Sequence, residues 1–421
     1  MQSITFINPV GGNVKTRSAG KSGSPIFGGY RQKTVRLLIW MNIFIVALRL
    51  YLLPWRATRK TRSLLAFRNR FRSGHVLNKY SAVNNRVFFT YNAPGWPSRA
   101  FNRYLAHQFK RSESPEKYAG IHTVLFGITK KCAFKCEHCC EWENLNRKEV
   151  LTPRDLLQIV KKFQESGVSQ VQFSGGEPLQ RVEDLIFVMN HSDPGTDFWV
   201  LTTGFNLTYR KIQELKIHGT TGITLSLDHC EEDLHDAFRG KQGSFRKVFQ
   251  SAAMIREAGL ALCFSLCPTN RFITAPNLQK YMLLCRDAGA SFVQILEPRA
   301  VGHYAHQDVA LTRANIDLLE DFYERMNYSM QGNGFPIISY HGYYSRRTGC
   351  AGSGKDYVYV DTDGDVHSCP FCRAKLFSAL YDNLPSRLRE LKSAGCKAFG
   401  NCTINEATHM PHKKTRRHES L

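Results

Sequence analysis

Apolar and polar positions alternate regularly from about residue 120 onward. Short apolar runs rich in β-branched and aromatic residues predict six strands, at 122–129, 170–174, 198–202, 223–227, 262–267 and 292–296. Amphipathic stretches between them predict helices, at 153–165, 182–189, 210–217, 245–258 and 275–288. This alternation predicts a parallel sheet with right-handed crossovers, either doubly wound or a partial barrel. In both, ligand-binding side chains gather where the strands end.

The N-terminal region differs from the rest of the chain in charge. The 421 residues carry a formal net charge of +22, yet residues 1–112 contain 20 Lys and Arg residues and no Asp or Glu. We expect 1–35 to be a disordered basic leader, with a transit peptide or translation starting at Met41 as alternatives. Because the remainder is close to neutral and phosphate binding needs many cationic contacts, we do not expect a nucleic-acid partner.

A long apolar segment lies inside this basic region. Residues 37–53 are apolar except for Asn42 and Arg49, and seven basic residues follow between Arg56 and Arg72. This pattern predicts that 36–112 is a membrane-associating extension, with 36–72 anchored at an anionic surface. A single membrane span and a helix packed on the protein itself are the alternatives.

Thirteen cysteines without a secretory signal of the usual shape indicate thiols that bind metal in a reducing compartment. Three of them, Cys132, Cys136 and Cys139, have the spacing C-x3-C-x2-C directly after the first predicted strand. Three thiolates leave one corner of a cubane iron–sulfur cluster without a protein ligand, and an open corner is a reaction site. We expect the neighbouring Cys140 to be a bystander.

A second motif, Ser-Gly-Gly-Glu-Pro at 174–178, follows the second strand. Gly175 and Gly176 would let a ligand approach the backbone closely, and Glu177 supplies an acceptor beside them. A tight strand–helix turn is the structural alternative. Together with the three-cysteine loop, this motif resembles the radical S-adenosylmethionine (SAM) superfamily.

The resemblance implies an α/β fold, a partial (β/α)6 barrel of the TIM type, and a catalytic 4Fe–4S cluster held by the three cysteines. It further implies that SAM occupies the open iron, with its amino group held by Gly175, Gly176 and Glu177. The sequence Ser-Leu-Asp at 226–228 resembles the segment whose serine, here Ser226, lies near the SAM ribose and carboxylate. Arg239 would pair with the SAM carboxylate. Thr203 stands where the family often has Asn.

The C-terminal cysteines form a third pattern. Two apolar runs around Asp363-Gly364 predict a hairpin that brings Cys350 and Cys369 together. The spacing C-x13-G-x4-C resembles the auxiliary-cluster extension called SPASM, or its shorter twitch form. This resemblance implies a small α+β cysteine-rich domain with a second 4Fe–4S cluster. Cys350 and Cys369 are expected as ligands with Cys396 and Cys402, and Cys372 could replace one of the latter two. A structural zinc site is the alternative.

These features predict five regions: the leader 1–35, the extension 36–112, the core 113–312, the SPASM/twitch-like domain 313–405 and a disordered tail 406–421. The resemblance implies reductive cleavage of SAM to a 5′-deoxyadenosyl radical, which takes hydrogen from a peptide or protein side chain. The alternatives are a lipid substrate or a non-catalytic thiol–metal protein. A flavodoxin or ferredoxin would supply the electron, and we expect a cytoplasmic enzyme peripheral at the inner membrane face. His303 and His306, after the sixth strand, are expected to be solvated, with a position near the active-site mouth as the alternative.

Overall fold

The computed structural model describes residues 24–71, 75–114, 118 and 120–394. Its helices are α1 (Gly29–Tyr51), α2 (Pro54–Phe71), α3 (Arg99–Glu113), α4 (Pro153–Glu165), α5 (Val182–Asn190), α6 (Tyr209–Ile217), α7 (Glu232–Arg239), α8 (Ser244–Glu257), α9 (Ala275–Asp287), α10 (Arg313–Tyr328), α11 (His341–Thr348) and α12 (Leu384–Ala394). Its strands are β1 (Ile26–Gly28), β2 (Lys79–Val83), β3 (Arg86–Phe88), β4 (Thr123–Gly127), β5 (Gln170–Ser174), β6 (Asp197–Thr202), β7 (Thr220–Ser226), β8 (Ala261–Leu266), β9 (Phe292–Ile295), β10 (Ile337–Tyr340), β11 (Tyr357–Val360), β12 (Asp365–His367) and β13 (Phe377–Ser378).

In the described part of the chain, the main sheet has ten strands in the order β10-β9-β8-β7-β6-β5-β4-β11-β12-β13. All neighbours from β10 to β11 are parallel, and β12 and β13 add antiparallel pairs. The six predicted strands correspond to β4–β9, so the α/β partial-barrel prediction is confirmed.

The helices that link the strands cover the outer face of this sheet. Alternate strand residues such as Phe126, Phe173 and Val200 are buried beneath them. Local signals fix the helix ends: α4 begins with a capping box between Thr152 and Asp155, which satisfies backbone donors that would otherwise lack partners. These short, well-terminated helices keep every strand end on one edge, where the motifs lie.

The N-terminal extension packs against the inner face of the same sheet. Strands β1–β3 form a small antiparallel sheet, and Tyr91 beyond it stacks edge-on against Trp199 at 4.9 Å between ring centroids. The Tyr91 hydroxyl hydrogen-bonds to Thr224 Oγ1 at 2.9 Å. The expected disorder of 1–35 is wrong for residues 26–35, which lie in β1 and α1. Residues 1–23 lie outside the described residues.

Helix α1 is long and apolar enough to cross a membrane, by length and composition alone. One side of it is nonetheless part of the protein core: Ile39, Ile43 and Ala47 are buried, and Asn42 Nδ2 donates to Asn102 Oδ1 at 2.9 Å. This inward side agrees with the packed-helix alternative. The opposite side is exposed.

The C-terminal region continues the main sheet. Strand β10 extends one edge beside β9, whereas β11 extends the other edge beside β4. The segment 341–356, which contains α11 and Cys350, therefore runs from one edge of the partial barrel to the other. The predicted boundary at 313 is thus not a boundary between sheets. Cys396, Cys402 and the expected tail 406–421 lie outside the described residues.

Candidate active site

The loop with Cys132, Cys136 and Cys139 begins at the carboxyl end of β4. Three neighbouring loops hold its backbone. Glu177 N donates to Lys131 O at 2.7 Å, and Glu137 N donates to Phe238 O at 3.0 Å. His303 N donates to Cys139 O at 2.9 Å. The three-cysteine loop is therefore fixed by segments that follow β5, β7 and β9.

Two glycines of the Gly-Gly-Glu motif face the backbone of this loop. A Cβ atom on Gly176 would lie 2.4 Å from Lys131 O, and one on Gly175 would lie 2.6 Å from Thr129 O. The observed reason for glycine is thus close packing between two loops. This contact adds to the close ligand approach that the Gly-Gly-Glu motif predicts.

The loop after β9 is part of the site, in agreement with the alternative that His303 lies near the active-site mouth. His303 Nδ1 lies 2.8 Å from the carbonyl oxygen of Cys136, and the His303 ring stacks on Trp142 at 3.8 Å. A Cβ atom on Gly302 would lie 2.2 Å from Cys139 O. The expectation that His303 is solvated is therefore wrong. The pair Gly302-His303, in the loop after the sixth predicted strand, was the only signal in the sequence for this contact.

Arg239 brings positive charge to the thiols. Its Nη1 donates to Cys136 Sγ at 3.4 Å, and its Nη2 lies 2.6 Å from Asp228 Oδ2 in a buried ion pair. Arg239 is 6% exposed, and its Nε has no hydrogen-bond partner among the described residues. An orphaned buried guanidinium donor beside a thiol suits an anionic ligand such as the carboxylate of SAM.

Burial keeps the thiols of Cys132 and Cys139 in the protonated form. Burial raises the pKa of Cys132 to about 11 and raises the pKa of Cys139 further. In the described part of the chain, no three His, Cys, Asp or Glu side chains are already converged as a coordination set. Metal binding would therefore displace protons and draw the thiols of this fixed loop together. Three sulfur donors on one loop suit an iron–sulfur cluster.

Glu177 is oriented by a dense set of donors. Thr202 Oγ1 donates to its Oε1 at 2.6 Å, and the amide and hydroxyl of Thr203 donate to Oε2 at 2.9 and 2.7 Å. Leu179 N donates to Oε1 at 3.1 Å. Thr203 therefore positions Glu177. Ser226 lies at the carboxyl end of β7 and is half-buried.

The described C-terminal cysteines lie together. Cys369 Sγ and Cys372 Sγ are 3.5 Å apart. Gly352 N donates to Cys350 Sγ at 3.3 Å, and a Cβ atom on Gly352 would lie 3.5 Å from Cys369 Cβ. The predicted hairpin forms from β11 and β12. The structure thus associates Cys372 with Cys350 and Cys369, whereas Cys396 and Cys402 lie outside the described residues.

An ion pair between a buried carboxylate and a half-buried arginine joins the two cysteine regions. Glu141, two residues after Cys139, pairs with Arg373, one residue after Cys372. Tyr359 in β11 donates to the same carboxylate at 2.8 Å. Glu141 and Tyr359 are buried. The auxiliary hairpin is therefore fastened to the three-cysteine loop by residues that no motif indicated.

A cavity of about 400 Å³ lies on the inner side of the partial barrel. Three parts of the chain line it. The main sheet contributes Gln172 and Gln294, the N-terminal extension contributes Phe89 and Tyr104, and the segment 341–356 contributes Cys350. The extension therefore contributes directly to the space in which a substrate could bind.

The family model of the radical SAM superfamily matches residues 126–269. The chain belongs to the radical SAM superfamily. The cofactors of this superfamily are a 4Fe–4S cluster and SAM, and its SPASM-type members carry auxiliary clusters. The matched segment begins in β4 and ends just after β8, so it contains the three-cysteine loop, the Gly-Gly-Glu motif and Arg239.

Three curated relatives match this radical SAM protein. PqqA peptide cyclase from Bradyrhizobium diazoefficiens is 32% identical over 155 residues, which make up 36% of this chain and 40% of that protein. AdoMet-dependent heme synthase from Methanosarcina barkeri is 22% identical over 270 residues, 59% of this chain and 76% of that protein. Sporulation killing factor maturation protein SkfB from Bacillus subtilis is 24% identical over 307 residues, 70% of this chain and 73% of that protein.

Among solved structures, Streptococcus suis SuiB bound to the precursor peptide SuiA superposes with a TM-score of 0.54 at 15% identity. The match covers 80% of this chain and 78% of SuiB. The fold of this radical SAM protein is therefore shared well beyond the segment that the family model covers.

Proposed function

We propose that this protein is a radical SAM enzyme that removes a hydrogen atom from a side chain of a peptide. Cys132, Cys136 and Cys139 would hold the catalytic cluster. The bound cluster and SAM supply reductive cleavage of SAM to a 5′-deoxyadenosyl radical. A flavodoxin or ferredoxin is the proposed electron donor, and the cytoplasm the proposed compartment.

The chain's own residues would orient SAM. Arg239 has a free buried N–H for a carboxylate, while its pairing with Asp228 fixes the guanidinium plane. Glu177 is already aimed by Thr202 and Thr203, and an ammonium ligand would compete with these hydroxyl donors. Gly175 and Gly176 let the two loops meet, and Ser226 would lie beside the SAM ribose.

Cys350, Cys369 and Cys372 would hold the auxiliary cluster with one of Cys396 and Cys402. The 3.5 Å separation of the Cys369 and Cys372 sulfurs supports this set. We propose 113–312 as the catalytic core and 313–405 as an auxiliary-cluster region that shares the core's sheet.

A peptide is the proposed substrate because of the cavity and the relatives. The cavity of about 400 Å³ admits one or two side chains, and Cys350 forms part of its wall. One relative is named as a peptide cyclase, another is named for maturation of the sporulation killing factor, and SuiB was solved with its precursor peptide. The single observation that carries the proposal is the packing of the three-cysteine loop against the Gly-Gly-Glu motif and Arg239. No comparison supports a lipid substrate.

The test is anaerobic purification of the full chain with iron and sulfide analysis, followed by incubation with SAM and dithionite. Wild-type protein should form 5′-deoxyadenosine, and Cys136→Ser should not. Cys140→Ser, in the same loop, is the matched control and should retain cleavage. Two zinc ions without sulfide would instead establish the thiol–metal alternative.

The auxiliary set and the substrate need separate measurements. Cys372→Ser should lower iron content by about one cluster and leave 5′-deoxyadenosine formation largely intact. Short peptides encoded beside the gene should be incubated with the enzyme and analysed by mass spectrometry. Their mass should change only when SAM and reductant are present and when the enzyme retains both sets of cysteines. If Cys372→Ser retains full iron content, Cys372 is not a ligand.

A further inference from the structure

The outward side of α1 is an exposed apolar surface. Its large side chains include Leu37 (63% exposed), Trp40 (51%), Met41 (54%) and Ile45 (44%). Trp55, at the start of α2, is 67% exposed. We call these five residues the outer face. Soluble proteins seldom leave contiguous large apolar side chains in water unless the surface contacts a partner.

The helix is held in this orientation by its polar side chains. Arg36 Nη2 donates to Leu77 O at 3.0 Å, and Gln32 Nε2 donates to the same oxygen at 2.7 Å. Asn42 Nδ2 donates to Asn102 Oδ1. Gln32, Arg36 and Asn42 thus lie on the side of α1 that faces the protein, with the buried Ile39 and Ile43, whereas the outer face lies on the opposite side. Rotation of α1 to bury the outer face would break these bonds, so the exposure is fixed by the fold.

Exposed basic side chains surround the outer face, and no acidic residue precedes Glu113. These basic side chains are Arg31, Lys33, Arg49, Arg56, Arg59 and Arg62. Lys60 is paired with Glu113 at 2.6 Å and is not counted among them. A partner of this surface must therefore present both an apolar layer and negative charge.

Charge excludes two otherwise plausible occupants. A second copy of the chain would bring the same cationic surface against itself, which is repulsive. The chain segments outside the described residues are also unsuitable, because 1–23 has basic residues and no acidic ones, and 395–421 has more basic than acidic residues. A bilayer with anionic headgroups supplies both the charge and the apolar layer.

We propose that the outer face of α1 and the basic side chains around it dock this protein on anionic lipid membranes, with α1 lying in the plane of the interface. Trp40 and Trp55 suit the interfacial layer because indole has an apolar body and a polar N–H. The surface would hold the enzyme at the membrane without a membrane span. This role is independent of the chemistry proposed for the cysteine loops.

The test uses the full chain and vesicles sedimented with or without phosphatidylglycerol. Binding should be strong to anionic vesicles, weak to phosphatidylcholine alone and reduced by 0.5 M salt, a concentration that shortens the Debye length to about 4 Å. The variant Leu37→Gln/Met41→Gln/Ile45→Gln should lose at least tenfold in partitioning. Arg56→Gln/Arg59→Gln/Arg62→Gln should lose roughly 100-fold, since each basic residue near the surface contributes about a factor of five.

Leu234→Gln/Met330→Gln is the matched control, because both side chains are exposed apolar residues elsewhere, at 54% and 78%. It should bind vesicles as the wild type does, and all variants should retain 5′-deoxyadenosine formation. The proposal is overturned if the outer-face variant partitions onto vesicles as the wild type does. It is also overturned if the wild type does not bind vesicles and the outer-face variant instead changes from dimer to monomer or no longer binds an acidic peptide.

Discussion

Gly176→Ala should disable the three-cysteine loop without touching a thiol. The added Cβ would lie 2.4 Å from Lys131 O and 2.8 Å from Lys131 C, both backbone atoms. Relief requires a shift of about 1 Å between the two loops, because nonbonded carbon contacts are favourable only near 3.5 Å. Such a shift strains the 2.7 Å bonds from Gly176 N to Thr129 O and from Glu177 N to Lys131 O.

Overpacking costs about 1–3 kcal/mol and each weakened hydrogen bond about 1 kcal/mol, so destabilisation of about 2–4 kcal/mol is expected. Gly259→Ala is the control: Gly259 has a φ of +70° with no atom within 4 Å of the added Cβ, and its cost is backbone strain of about 1 kcal/mol. Guanidinium unfolding measures both variants, and iron and sulfide analysis measures the cluster. Gly176→Ala should lose iron, and Gly259→Ala should retain it. Equal stability and equal iron content in the two variants would refute the proposed role of Gly176.

Two further experiments test buried ionisable side chains. Arg373→Met leaves the Glu141 carboxylate buried with Tyr359 as its remaining partner, and it should lower the free energy of unfolding in guanidinium by about 2 kcal/mol. Glu141→Gln/Arg373→Met should lower that free energy by less. Equal losses in the two variants would show that the pair is uncoupled. Burial lowers the pKa of His107 from 6.5 to about 4, so the unfolded chain binds this proton first as the pH falls. Its contribution to stability is therefore present above pH 6.5 and lost toward pH 4, about 2 kcal/mol of it by pH 5. His107→Phe should flatten that part of the pH profile in urea titrations, and an unchanged slope would contradict the assignment.

The strands β4–β9 were predictable because most of their residues are buried. Short runs with β-branched and aromatic residues indicate them in the sequence, and β5 has the predicted limits of 170–174. The contacts of the site were not predictable, because they join loops that follow different strands. His303 contacts Cys136 across 167 positions, and Arg373 contacts Glu141 across 232. No local pattern encodes a partner at that distance.

The contacts of the N-terminal extension could not be predicted for a related reason. An acid-free, Arg-rich segment has the composition of a flexible basic region, yet its aromatic residues belong to the core. Phe88 packs edge-on against Phe292 at 5.9 Å, and Lys79, which is 1% exposed, donates to three backbone carbonyls near the end of α10. Composition reports the charge of a segment, whereas the positions of a few aromatic residues decide what it packs against.

The two sides of the extension have different roles, so cavity formation and membrane docking can be tested separately only by substitutions on one side. Its inner side supplies Phe89 and Tyr104 to the cavity wall, and its outer side presents the outer face of α1. Deleting residues 1–72 would remove α1 and α2, uncover Phe101 and Leu105 in α3, and detach the face that we assign to lipid. Loss of activity after such a truncation would follow from the damaged cavity as readily as from lost docking. Surface substitutions that leave Ile39, Ile43 and Ala47 in place act on the outer side alone, because those three residues hold α1 to the protein.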